Sequence, residues 1–135
     1  MAEAEKVSFE LVSPERVLAS IEADMVVVPG SEGDFGVLPR HSPFMSLIRP
    51  GVIDIHEKGE IVRRIFIEGG FAEVNPDGLI VLAEAAVPLE ELDRAVVATD
   101  LKNAEDELRA ATDDAEKARL EKVISIARVR LEALD

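Results

Sequence analysis

The chain is expected to fold as an all-β sandwich or flattened barrel followed by an antiparallel α-helical hairpin, and three observations carry this. Short apolar or alternating runs, separated by compact turn signals, fill the first two thirds. From about Val87-Pro88 the β-branched residues thin out and Ala, Glu, Leu, Lys and Arg take over. Beyond Pro88 no Gly or Pro occurs through Asp135. The expected units are residues 1–87 for the sandwich and 88–135 for the hairpin.

Val7, Phe9 and Leu11 alternate with Ser8 and Glu10, the period of a half-buried strand, and Ser13-Pro14-Glu15 supplies turn chemistry. Val17–Ala19 and Ile21–Val28 follow, with Ile21, Ala23, Met25 and Val27 expected on one face and Glu22 and Asp24 on the other. Val26 to Gly51 holds four prolines and four glycines and reads as an ordered loop, because Pro fixes φ while Gly permits φ > 0. Phe44–Ile48 within it is short and apolar. Val52–His56 and Ile61–Ile67 flank the polar turn Glu57-Lys58-Gly59-Glu60 and read as a hairpin. Gly69-Gly70 interrupts the chain, Phe71–Val74 is brief, Asn75-Pro76-Asp77-Gly78 turns, and Leu79–Ala83 is the next strand.

In the last third, Val97, Leu101, Ala104, Leu108 and Ala111 form one helical stripe and Leu120, Ile124, Ala127, Leu131 and Leu134 a second. Thr112-Asp113-Asp114 divides them, and Asp113 with Glu116 three residues on is a start signal for the second helix. Two antiparallel helices with facing stripes follow, joined by an Ala-rich seam that buries less apolar area than a leucine seam.

Composition bounds the function. A net charge of −13 argues against nucleic acid and anionic lipid as partners and favours a basic protein surface. The absence of cysteine removes disulfides, thiol nucleophiles and cysteine-type zinc sites. No apolar run approaches the ~18 residues of a membrane span, and Glu3 and Glu5 stand where a targeting segment carries positive charge. Gly30, Gly33 and Gly36 match neither phosphate-loop spacing. His41 and His56 have no helical H-x-x-x-H spacing and no G-x-S-x-G elbow occurs, so no catalytic or metal constellation is expected. Glu32, Asp34, Arg40 and His41 read instead as recognition groups on stiff backbone.

The stretch Gly30 to Gly36, Val37, Leu38, Pro39, Arg40, His41, Ser42, Pro43, then Pro50-Gly51, resembles the epsilon subunit of bacterial F-type ATP synthases. Phe66-Ile67-Glu68-Gly69-Gly70-Phe71-Ala72-Glu73-Val74 and Val81-Leu82-Ala83-Glu84-Ala85-Ala86 extend the resemblance. It implies about ten strands in the sandwich. The function implied is that of a non-catalytic central-stalk subunit linking gamma to the c-ring, reaching the membrane only through the complex at the cytoplasmic face of the inner membrane. The hairpin is then a regulator of hydrolysis that can reach the alpha and beta subunits with Lys117, Arg119, Lys122, Arg128 and Arg130. The alternative is a free-standing sandwich adaptor or nucleotide-sensing module.

Family members that bind ATP on the hairpin carry Ile/Leu-Asp-x-x-Arg-Ala at the start of the first helix, where this chain has Glu90-Glu91-Leu92-Asp93-Arg94-Ala95. Arg94 and Ala95 match and Glu90 and Glu91 do not. Glu91 and Arg94 are thereby the candidate contacts of a regulatory ATP; no other cofactor is implied. The family usually has Gly before the His. Arg40 in that place is expected to make its turn at negative φ, with its guanidinium beside Glu32, Asp34 and His41.

Overall fold

The structure, a computed structural model, describes residues 5–135. Glu3, which contributes to the acidic start noted above, lies outside the described residues. The chain divides into two compact units, Met1–Pro88 and Leu89–Asp135.

The first unit holds ten strands: β1 (Val7–Val12), β2 (Val17–Ala23), β3 (Met25–Gly30), β4 (Gly33–Val37), β5 (Phe44–Ile48), β6 (Gly51–Glu57), β7 (Glu60–Ile67), β8 (Gly70–Asn75), β9 (Gly78–Ala83) and β10 (Ala86–Pro88). Their order is β10-β7-β6-β3-β5-β8-β9-β1-β2, with β4 paired to β3. Every pairing is antiparallel except β1 with β9. One layer therefore comprises β10, β7, β6, β3 and β4, and the other β5, β8, β9, β1 and β2. The single pair Gly30 with Ile48 joins them. Alternating residues from both layers make one core, including Phe9, Leu11, Val26, Val28, Ile53, Ile55, Ile67, Leu79 and Val81. No polar or charged residue is buried among the described residues. Such a dry core is held by area and packing, which resist deformation.

Two expectations are corrected here. Val26 to Gly51 is not a continuous loop: β3 and β4 form a hairpin in register from Val26 with Val37 to Gly30 with Gly33, and Ser31-Glu32 is its tip. The Gly-rich sequence GDFGV of β4 hides this, since two of its five positions have no side chain to alternate. Nor do Ile21, Ala23, Met25 and Val27 share a buried face. Ala23 is buried in β2, but in β3 Val26 and Val28 are buried while Met25 and Val27 are only half-buried. The parity switches at Asp24, a bend whose N–H donates to the His56 carbonyl at 3.0 Å.

The β6–β7 turn has Lys58 at φ 52° and Gly59 at φ 79°, the two positive-φ positions of the tight hairpin turn that matches strand twist. Lys58 bears a side chain there, and its N–H donates to the Asp24 carboxylate at 2.6 Å. Gly70, at φ 157°, opens β8 where a Cβ would lie 2.0 Å from the Leu82 carbonyl oxygen. Only glycine lets β8 and β9 approach at that point.

The second unit begins with a 3-10 turn at Leu89–Glu91, followed by α1 (Arg94–Ala110) and α2 (Asp114–Leu134). The first helix starts later than the sequence motif implied. Asp93 is its N-cap, accepting from the amides of Ala95 and Val96. Asp113 caps α2 by accepting from the Glu116 amide at 3.2 Å. The seam consists of buried Ala104, Leu120 and Ile124, with Leu101, Leu108 and Ala111 packed against it.

Candidate functional site

The sequence-predicted recognition residues cluster on the β3–β4 hairpin and the segment after it, but they do not form one constellation. Glu32 is exposed at the tip and has no ion-pair partner among the described residues. Asp34, the first residue after Gly33, accepts from Arg49 Nη2 at 2.5 Å. Arg49 was not singled out from the sequence, because its role depends on a contact 15 residues away.

Arg40 departs from expectation in two respects. Its φ is 61°, so it occupies the left-handed region after all. Its guanidinium pairs with Glu5 at 2.5 Å rather than with the tip acids. The turn demands positive φ, and Arg supplies it at a conformational cost that the family's usual Gly avoids. His41 lies next in the chain, half-buried, with its Nδ1 donating to the Ser42 carbonyl at 2.6 Å and its ring 6.5 Å from that of Phe44. Phe44 in turn meets Phe35 edge-on at 5.1 Å. His41 is thus fixed as part of a small aromatic knuckle.

A second surface was missed in the sequence. On the outer face of the β5-β8-β9-β1-β2 layer, Leu47, Phe71, Leu82, Val12 and Val17 stand in register across five strands. Leu47 is 64%, Leu82 51% and Val17 57% exposed. Met45 and Ile80, also exposed, lie in the neighbouring row, where Glu73 and Glu10 stand between and beside them. A row of apolar side chains five strands wide, edged by acids, is what a protein interface looks like before its partner arrives. The available signal was that FMSLI and LIVLA are apolar at both parities, which reads equally as burial on both faces.

In the hairpin, Glu91 lies in the 3-10 turn and Arg94 at the first position of α1. Arg94 Nη2 donates to the Leu131 carbonyl at 3.4 Å and to the Asp135 carboxylate. Two further cross-helix pairs join Arg128 to Glu105 at 3.3 Å and Arg119 to Glu107 at 3.8 Å. Arg119 also pairs with Glu116, whose carboxyl is held below the usual carboxylate range by that hydrogen bond. No group of three or more metal-ligating side chains occurs among the described residues, and no helix there is long and apolar enough to cross a membrane.

Residues 6–89 match the family model of the ATP synthase delta/epsilon chain beta-sandwich domain. The ATP synthase epsilon chain of Rhodospirillum rubrum is 50% identical over 130 residues, covering 96% of this chain and 97% of its own length. That of Parvibaculum lavamentivorans is 48% identical, covering 94% and 97%, and that of Maricaulis maris 52%, covering 84% and 85%. Among solved structures, a chain of the Euglena gracilis mitochondrial ATP synthase OSCP/F1/c-ring assembly matches with TM-score 0.85 and 25% identity, covering all of this chain and 84% of that one. A chain of the Tetrahymena thermophila mitochondrial ATP synthase central stalk and c-ring has the same fold, with TM-score 0.64 at 13% identity, covering 99% and 100%. With residues 6–89 matched to the sandwich-domain family and relatives about half identical over most of the chain, the chain belongs to the ATP synthase epsilon-chain family, the non-catalytic subunits of the rotor stalk.

Proposed function

We propose that this chain joins the gamma subunit to the c-ring and passes rotation between them, with the outer row Leu47, Phe71, Leu82, Val12 and Val17 as the gamma-binding face. That row is the observation that carries the reading. Desolvating it supplies affinity, and Glu73 and Glu10 beside it supply register. The dry core behind it keeps the face rigid under load. The β3–β4 tip with Glu32, together with the Arg40-His41 segment, is the c-ring contact, and the chain works through the complex at the cytoplasmic face of a bacterial inner membrane. A photo-crosslinker at Leu82 in native membranes should capture gamma, and one at Glu32 should capture the c-ring. Capture of neither would remove both assignments.

The hairpin serves as a regulator of hydrolysis. Arg119 and Arg128 of α2 face acids of α1 across exposed ion pairs, and exposed pairs exchange partners at little cost. Acidic surfaces on alpha and beta can compete for the same arginines if α2 leaves α1. No cofactor is assigned. Arg94, the cation of the degenerate ATP motif, is committed to Asp135 and Leu131, and Glu90 and Glu91 place like charge where a triphosphate would sit.

A further inference from the structure

We propose that the β3–β4 tip presents a single recognition charge, that of Glu32, and that Arg49 is a positioning residue which cancels Asp34 and fixes the tip. The proposal rests on the reading of this loop as the c-ring contact. Arg49 follows β5 directly, and its guanidinium spans the base of the hairpin. Nη2 donates to Asp34 Oδ1 at 2.5 Å and Nη1 to the Gly30 carbonyl at 2.5 Å. The two acceptors belong to opposite strands, on either side of Ser31-Glu32. The backbone completes the grip: Arg49 N–H donates to the Pro29 carbonyl at 3.0 Å, and Ser31 N–H to the Leu47 carbonyl at 2.9 Å. The base is also sterically closed, since a Cβ on Gly30 would meet the Gly33 carbonyl oxygen at 2.7 Å and the Phe35 ring at 2.9 Å.

A guanidinium can do this and an ammonium cannot, because two parallel donors in a fixed plane reach two acceptors at once. Asp34 is well exposed, so the pair adds little to folding. Its consequence is electrostatic and geometric. Of the three charges at the tip, the carboxylate of Asp34 and the guanidinium of Arg49 cancel locally, and Glu32 alone projects without a counter-ion among the described residues. The complementary group on the partner is a cationic side chain meeting Glu32.

The test compares epsilon variants reconstituted with epsilon-depleted ATP synthase, reading binding affinity at low and high KCl alongside melting curves. Glu32→Gln should weaken binding about tenfold at low salt and flatten the salt dependence. The paired variant Asp34→Asn with Arg49→Gln removes two cancelling charges together with the grip on Gly30, so it should keep the parent's salt slope while losing only about threefold in affinity through a looser tip. The swapped pair Asp34→Arg with Arg49→Asp keeps the local charge balance by a second route and should keep the slope as well. Arg49→Gln alone frees Asp34, so it should steepen the slope and speed hydrogen exchange at the Ser31 amide about tenfold. A folded paired or swapped variant that loses as much affinity as Glu32→Gln would overturn the proposal and leave the loop as the contact. If Glu32→Gln and Glu32→Lys both bind as the parent does, the loop is not the contact and the proposal falls with it.

Discussion

Arg94 and Asp135 tie the first residue of α1 to the C-cap of α2, and the same guanidinium reaches the Leu131 carbonyl in the last helical turn. A cation at a helix C-terminus satisfies orphan carbonyls and opposes the helix dipole. Arg94→Ala should therefore fray the end of α2 by well under about 1 kcal/mol, seen as faster amide exchange confined to its last turn. Millimolar ATP should leave that exchange unchanged in the parent. Slower exchange with ATP would show a nucleotide site that the committed arginine and the neighbouring acids argue against.

The sandwich should fold alone as residues 1–88. Ala86–Pro88 complete the pairing with Ile67–Ile65, so the last three residues are needed to cover the end of β7. A cooperative thermal transition is expected for this fragment, whereas a broad one would mean that the hairpin supplies part of the core.

Acid stability should depend on Asp24. Its carboxyl is held below its ordinary value of 3.8, first by the Lys58 amide and then by the Lys6 ammonium. A depressed folded-state pKa contributes stability that is present above the unfolded value and lost as pH falls through the folded one. Asp24→Asn should lower the melting temperature near neutrality and flatten its decline below about pH 4. Lys6, raised above 10.5 by Asp24 and Glu57, contributes oppositely: its share is lost as pH rises through its folded-state value.

How much of this could be read without coordinates varied with the kind of signal. The hairpin stripes were legible because a 3.6-residue period persists over three to four turns and Asp113 marks a start. The β6–β7 turn was legible because the polar Glu57-Lys58-Gly59-Glu60 sits between two runs rich in Val and Ile. The β3–β4 hairpin was not, since GDFGV carries almost no alternation. The change of face at Asp24 was invisible because one bend inverts the parity of everything after it. The proposed recognition residues Glu32, Asp34, Arg40 and His41 were picked out by type and loop position. Their division into one free acid, one ion-paired acid, one strained arginine and one packed imidazole depends on Arg49 and Glu5, which only tertiary structure brings near, and on how the chain turns Phe44 back onto His41.

Arg40→Gly should stabilise the chain. Relief of the left-handed conformation is worth about 1 kcal/mol or somewhat more. Loss of the exposed Glu5 pair and the freer unfolded chain offset part of it. Arg40→Ala separates these effects, because it loses the ion pair and keeps the strain. The expected order of melting temperature is Gly above Arg and Arg at or above Ala. A Gly variant below Ala would mean that the turn does not hold positive φ in solution.

The gamma-binding assignment is tested most directly by the affinity of a Leu82→Asp chain for the gamma subunit. Leu82 is half exposed at the centre of the outer row, so a carboxylate there leaves the core untouched while burying a charge in the complex. The account predicts a melting curve close to the parent's and a loss of affinity of about a hundredfold or more, the scale of a disrupted interface centre. Parental affinity in a normally folded Leu82→Asp chain would contradict it.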